Sequence, residues 1–359
     1  MAISRVKTLK ALSNFTSTLT SYSIRSSLLR RFSSSNVSPL IQASFHLKRI
    51  GFVGLGNMGF HMANNLINAG YKVCVHDINS NVMEKFSDKG VLTKGTPFEV
   101  AETSDVVITM LPSSSHVLDV YTGHNGLLHG ENPLTPWLFI DSSTIDPQTS
   151  RRLSATISNC ALKEKKGCGC SPVLLDAPVS GGVLGAEAGT LTFMVGGLQE
   201  AYLAAEPIFL SMGKNTIYCG GTGNGAAAKI CNNLAMAVSM LGVSEAFSLG
   251  QSLGITASTL TKIFNSSSAR CWSSDSYNPV PGVMEGVPAS KNYNGGFSSK
   301  LMAKDLKLAV ASAEEVRLKC PMTSQAQEIF WVQIHEPLQG RSRVQGLLFC
   351  FPPLLLWQG

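Results

Sequence analysis

From residue 49 onward, short β-branched and apolar runs recur at Arg49–Val53, Lys72–Val75, Asp105–Leu111, Leu138–Ile140, Val173–Asp176, Leu191–Val195 and Thr216–Tyr218. Stretches with helical spacing of apolar positions separate them, and strands alternating with helices predict a mostly parallel sheet covered on both faces. The glycine-rich segment Gly220–Gly225 closes this region. Beyond it the strand pattern stops, and long Ala-, Leu- and Met-rich stretches follow, chiefly Ala226–Leu249 and Leu301–Val316. The pattern therefore predicts an α/β N-terminal domain over residues 48–221. An all-α C-terminal domain follows over 222–330, the segment after Gly225 forming a long helix that joins the two.

The two ends do not fit this pattern. Residues 1–45 are Ser-rich and Arg-bearing, and the first acidic residue of the chain is Asp77. That composition, with no apolar signal-peptide core, marks an organellar presequence, and Arg30-Arg31-Phe32-Ser33 resembles a matrix-processing site. The mitochondrial matrix is the address it predicts, with a plastid as the rival. At the other end, Trp331–Gly359 loses helical charge patterning, carries the single acidic residue Glu336 and ends in an apolar run broken by Pro352 and Pro353. It is too short and interrupted to span a bilayer, and is expected to be a divergent, poorly packed tail.

Composition then narrows the function. A chain of 359 residues with 44% hydrophobic and 14% charged residues has the apolar mass for two packed domains, which excludes a linker or tail protein. The net charge of +6 suggests polyanion binding only until it is located. Eight Lys and Arg precede Ile50, and without them the remainder is slightly acidic. No nucleic-acid or membrane partner is expected. Nine cysteines occur without a C-x-x-C pair, and the closest two, Cys168 and Cys170, have no His or Cys nearby, so no metal site is expected.

The most informative motif is Ile50-Gly51-Phe52-Val53 running into Gly54-Leu55-Gly56-Asn57-Met58-Gly59, a strand that enters G-x-G-x-x-G and then a helix. Gly54 permits the tight turn, Gly56 lets the backbone approach a pyrophosphate, and Gly59 allows close strand–helix packing. A second strand leads to Asp77, 18 residues past Gly59, where a carboxylate is placed to accept the ribose hydroxyls of NAD and to repel the 2′-phosphate of NADP. A turn-forming role for Asp77 is the competing reading. Together these residues predict a Rossmann-type domain binding NAD.

Two further segments carry candidate chemistry. In Asp176-Ala177-Pro178-Val179-Ser180-Gly181-Gly182, a strand leads into a Ser180-Gly181-Gly182 loop whose backbone N–H groups suit a carboxylate, an ordinary turn being the alternative. Lys229 and Asn233 lie four apart, on one face of the expected helix. A lysine among Ala226, Ala227, Ala228 and Ile230 is either a stem laid along apolar surface or a proton-transfer group whose pKa burial and the nearby helix N-terminus depress.

Taken together, these motifs resemble the β-hydroxyacid dehydrogenase family. The resemblance extends to Asp141-Ser142-Ser143-Thr144, to Leu191–Gly197 and to Arg270–Val283, and covers about residues 50–330. The last segment is typical of the branch that oxidises (S)-3-hydroxyisobutyrate to methylmalonate semialdehyde with NAD. What the resemblance implies is Lys229 as general acid/base with Asn233 as its partner amide, and a substrate carboxylate held by Ser180, Gly181 and Gly182. It also implies cofactor contacts at Leu111, Pro112 and Thr144, with Lys304 at the nicotinamide end. It further implies a small hydroxy-acid substrate and a homo-oligomer, dimer or tetramer. A glyoxylate or succinic semialdehyde reductase of the same family, an oligomerising member without catalysis, and a variant impaired by its altered C-terminus are the rival expectations.

Overall fold

A computed structural model describes residues 47–130, 133–163 and 171–335. The expectations for the presequence, for Cys168 and Cys170, and for the tail beyond His335 concern residues outside that set.

The predicted strands form, each within a few residues of its sequence pattern: β1 (Arg49–Val53), β2 (Lys72–His76), β4 (Val106–Thr109), β5 (Leu138–Asp141), β6 (Val173–Asp176), β8 (Leu191–Gly196) and β9 (Gly213–Gly220). Two short strands escaped the pattern, β3 (Leu92–Thr93) and β7 (Val179–Ser180). The order β3-β2-β1-β4-β5-β6 is parallel throughout. At its far side β8 runs antiparallel to β6 and β7, and β9 pairs parallel with β8.

Alternate side chains of the central strands feed two separate cores, as a sheet covered on both faces requires. Ile50, Phe52, Val73, Val75, Val106, Ile108, Leu138 and Ile140 enter one, while Val53, Cys74, Val107 and Phe139 enter the other. The covering helices are α1 (Gly59–Asn68), α2 (Ser80–Ser87), α3 (Pro97–Glu102), α4 (Ser114–Thr122), α5 (Pro147–Ser158), α6 (Gly182–Glu187) and α7 (Gln199–Met212). Their starts are written locally. Thr96 caps Glu99 N and Asp146 caps Thr149 N, each just before a proline at the first helical position.

The helix α8 (Asn224–Ser252) leaves the sheet and becomes the spine of the second domain. Around it pack α9 (Ala257–Ser266), α10 (Trp272–Asp275), α11 (Ser299–Glu315) and α12 (Pro321–His335). Ala237, Met240 and Leu241 of α8 bury against Met302, Ala303 and Leu306 of α11 and against Ala326 and Phe330 of α12. By length and composition α8 is apolar enough to cross a membrane. Its contacts with β8, β9, α11 and α12 account for that apolarity as the core helix linking two domains.

The segment between α10 and α11 is irregular, with a 3-10 turn at Pro288–Lys291. It is tied down by the stacked Trp272–Tyr277 rings and by Phe297 N donating to the Tyr277 hydroxyl.

Candidate active site

The glycine-rich turn lies between β1 and α1, and two of its glycines are obligatory. Gly54 has φ +96°, and a Cβ there would meet Met110 O at 2.3 Å; one on Gly59 would meet Gly54 O at 1.9 Å. Gly56 differs, since no heavy atom lies within 4 Å of the place its Cβ would take. It is exposed beside Asn57 at the start of α1, while Leu55 is buried beneath. This open, side-chain-free approach to a helix start fits the pyrophosphate of a dinucleotide.

Asp77 follows β2. One carboxylate oxygen accepts from Leu55 N at 2.6 Å and the other from Asn79 N at 2.8 Å. The carboxylate is thereby aimed over the turn, with lone pairs remaining for ribose hydroxyls.

The loops after β4 and β5 are tied to one another. Leu111 N donates to Ser143 Oγ at 2.8 Å, and Ser143 N donates to Asp141 Oδ1 at 3.2 Å. The same Asp141 oxygen accepts from Thr109 Oγ1, whose partner in turn is the Tyr121 hydroxyl. Asp141 is fully buried and its second oxygen has no hydrogen-bond partner. Burial pushes its carboxyl up to about 6, against the pull of its Ser143 and Thr109 hydrogen bonds, and the charge of Asp176 adds to the rise.

Lys304 of α11 reaches across the domain junction to these loops. Its ammonium donates to Thr144 O at 2.9 Å and Pro112 O at 3.4 Å, and lies 3.3 Å from Asp305 Oδ1. Asp305 is buried. Its other oxygen accepts from Asn233 Nδ2 at 2.6 Å, while Asn232 Nδ2 donates to Asn233 Oδ1 at 3.0 Å.

Lys229 and Asn233 share the buried face of α8, at 8% and 1% exposure, so Lys229 is not a surface stem. Burial lowers the Lys229 pKa, Asp305 opposes that shift, and Lys304 reinforces it. Thus Lys229, Asn233, Lys304, Asp305, Thr144 and Pro112 form one cluster drawn from both domains.

The Ser180-Gly181-Gly182 loop joins β7 to α6, with Ser180 half-buried and both glycines exposed. Gly181 (φ +133°) and Gly182 (φ +63°) adopt conformations that favour glycine. The loop is linked to α8 through Asp176, whose two oxygens accept from Gly223 N at 2.7 Å and Ala226 N at 2.8 Å. Met58, finally, is half-buried and precedes α1.

Sequence reasoning gave no role to Asp141, Asp176 or Asp305. The available signal was a carboxylate ending each of two wholly apolar strands, Leu138-Phe139-Ile140-Asp141 and Val173-Leu174-Leu175-Asp176. Ionisable groups at such positions are buried only with partners. Among the described residues no group of three His, Cys, Asp or Glu side chains is arranged to hold a metal.

Comparison with known proteins bears on the whole arrangement. A family model described as the NAD binding domain of 6-phosphogluconate dehydrogenase matches residues 49–221. One described as NAD-binding of NADP-dependent 3-hydroxyisobutyrate dehydrogenase matches residues 223–345. The chain is 67% identical over 330 residues to a probable mitochondrial 3-hydroxyisobutyrate dehydrogenase of Arabidopsis thaliana, covering 92% of each. It is 48% identical to the mitochondrial 3-hydroxyisobutyrate dehydrogenase of Bos taurus, over 78% of this chain and 80% of that one. Among solved structures, the Mycobacterium tuberculosis 3-hydroxyisobutyrate dehydrogenase with L-serine superposes with a TM-score of 0.76 at 36% identity. That match covers 85% of this chain and 99% of the other.

Proposed function

The chain belongs to the 3-hydroxyisobutyrate dehydrogenase family, and from that premise we infer how its own residues carry out NAD-dependent oxidation of (S)-3-hydroxyisobutyrate to methylmalonate semialdehyde. The activity belongs to valine breakdown in the mitochondrial matrix; the names of its relatives give the mitochondrion, and the acid-free N-terminus fits import there.

The cofactor is NAD. Its pyrophosphate is assigned to the turn Gly54-Leu55-Gly56-Asn57-Met58-Gly59 and its adenosine ribose to Asp77, whose charge disfavours a 2′-phosphate. Leu111, Pro112 and Thr144 would hold its nicotinamide end, with Lys304 donating to the Pro112 and Thr144 carbonyls. When bound, NAD supplies the acceptor for the hydride that leaves carbon 3 of the substrate.

The proton is the protein's task. Lys229 receives it from the substrate hydroxyl, and for that it must be a neutral amine, the form that burial favours. The ammonium created in the step is then offset by the Asp305 charge. Asn233 is held on both sides, by Asn232 and Asp305, which leaves one amide N–H for the substrate oxygen. The Ser180-Gly181-Gly182 loop holds the substrate carboxylate and so orients the alcohol carbon. The reading also carries a homo-oligomer, dimer or tetramer, supported by Leu249 and Leu253 exposed at the end of α8 and checked by sedimentation.

The observation that carries this reading is a buried lysine on the same helix face as Asn233, whose amide bonds Asp305 beside Lys304, which itself bonds the Thr144 and Pro112 carbonyls. Lys229→Ala is expected to lower kcat by about 10²- to 10⁴-fold while NAD still binds. Turnover near that of the parent enzyme removes Lys229 from the reaction. Activity with glyoxylate or succinic semialdehyde exceeding that with 3-hydroxyisobutyrate reassigns the substrate.

A further inference from the structure

We propose that Asp176 is a positioning residue for the oxidation, its carboxylate setting the place of Lys229 relative to the Ser180-Gly181-Gly182 loop. The proposal rests on the assignment of Lys229 as the proton acceptor.

The helix that carries Lys229 begins without a cap of its own. Gly223 has φ +85° and offers no side chain to the first N–H groups of α8. Helix starts leave such donors unpaired unless something outside supplies acceptors. Asp176 supplies them: Oδ1 accepts from Gly223 N at 2.7 Å and Oδ2 from Ala226 N at 2.8 Å. Its negative charge also suits the positive end of the helix dipole. Only 1% exposed, the carboxylate has no access to water as a substitute partner.

Position in the chain turns this cap into a catalytic matter. Ala226 lies three residues before Lys229, less than one helical turn. Asp176 itself ends β6, four residues before Ser180, and the chain runs on from it through the short β7 into the substrate loop. The proton acceptor and the carboxylate-binding loop are thus referenced to a single side chain.

The packing leaves this anchor no slack. A Cβ on Gly196 would fall 2.8 and 2.9 Å from the two Asp176 oxygens and 2.6 Å from Gly225 N. One on Gly225 would fall 2.3 Å from Asp176 O and 2.4 Å from Met194 O. β6, β8 and the start of α8 therefore meet at backbone contact around the carboxylate. Proton and hydride transfer depend on placement within about 1 Å, so a small drift of α8 is enough to lower the rate.

The test is a double-mutant cycle of Asp176→Asn with Lys229→Ala. Turnover of 3-hydroxyisobutyrate, the dissociation constant of NAD and the melting temperature are measured for each enzyme well below its melting point. The amide keeps the size of the side chain but presents N–H where one helix donor needs an acceptor. Asp176→Asn is expected to lower kcat by about tenfold or more, with NAD affinity within about twofold, and to cause no further loss in the Lys229→Ala background. Losses that multiply in the double mutant, or a kcat within about twofold of the parent, overturn the positioning role. If Asp176→Asn does not fold, Asp176→Glu, which keeps the charge but displaces it by one methylene, goes through the same cycle with the same criteria. Lys229→Ala with near-parental turnover removes the premise and the proposal together, whereas multiplying losses beside an impaired Lys229→Ala remove the proposal alone.

Discussion

At the scale of single residues, the site is governed by carboxylates whose hydrogen bonds fix where they point. Asp77 is the simplest case, because Leu55 N and Asn79 N hold both its oxygens in place. Asp77→Ala removes the ribose acceptor and the charge that repels a 2′-phosphate together. The ratio of kcat/KM for NAD over NADP is therefore expected to fall, and an unchanged ratio shows that specificity is set elsewhere. Asp141 is the more demanding case, with its carboxyl pushed up to about 6 from an ordinary 3.8, burial being the main cause. A raised carboxyl favours the folded state while it is protonated. That contribution is complete below the unfolded value and is lost as pH rises from about 4 through about 6. At pH 8 the ionised, half-partnered group lowers stability by on the order of 1 to 3 kcal/mol. Asp141→Asn keeps an acceptor for Thr109 and Ser143 without the charge. It is expected to melt higher than the parent at pH 8, with the difference shrinking toward pH 4. A variant that melts lower at pH 8, or a difference constant with pH, contradicts the burial account.

At the scale of elements, what could be read from sequence was whatever local periodicity or spacing encodes. The turn at Gly54 and the strand–helix packing at Gly59 are legible because each needs a glycine at a fixed place within six residues. The central strands are read because each is a run of apolar residues filling two cores. The antiparallel direction of β8 was not legible, since an apolar run looks the same in either direction. Nor were β3 and β7, at two residues each, long enough to show a period. β9 extends beyond its predicted Thr216–Tyr218 because Gly213 and Asn215, which pair with Leu191 and Thr192 across a register shift that skips Lys214, carry no β-branched signal. The glycines of the first turn make the distinction between packing and binding testable. Gly59→Ala places a methyl against the Gly54 carbonyl and is expected to lower stability by about 1 to 3 kcal/mol. Gly56→Ala meets nothing within 4 Å and is expected to keep its melting temperature while weakening NAD binding. Thermal melts with and without NAD separate the two. Equal loss of stability in both variants shows that Gly56 too is structural.

At the scale of the whole molecule, two domains that are separate in sequence pattern are coupled through α8, Asp176 and Lys304; the hydrophobic pattern anticipates the first and the family resemblance brings Lys304 toward the cofactor, but the docking by Asp176 was not legible. The long helix α8 joins them covalently. Asp176 docks the start of that helix onto the sheet. Lys304 links the helical domain to the cofactor loops, from 160 residues away in the case of Thr144 and 192 in the case of Pro112. No local pattern marks such a contact, and α11 alone reads as a helix with a charged face. Its consequence is that the second domain can sense what the first one holds. If NAD orders the loops after β4 and β5, the Thr144 and Pro112 carbonyls become a firmer seat for Lys304, and α11 gains protection without touching the cofactor along most of its length. Saturating NAD is thus expected to slow amide hydrogen exchange across Ser299–Glu315 in the parent enzyme. In Lys304→Met, which keeps the length and apolar character of the stem but donates no hydrogen bond, that slowing is expected to disappear, while protection of the turn at Gly54–Gly59 by NAD persists. Equal protection of α11 in both enzymes would place the coupling in α8 and leave Lys304 a local cofactor contact.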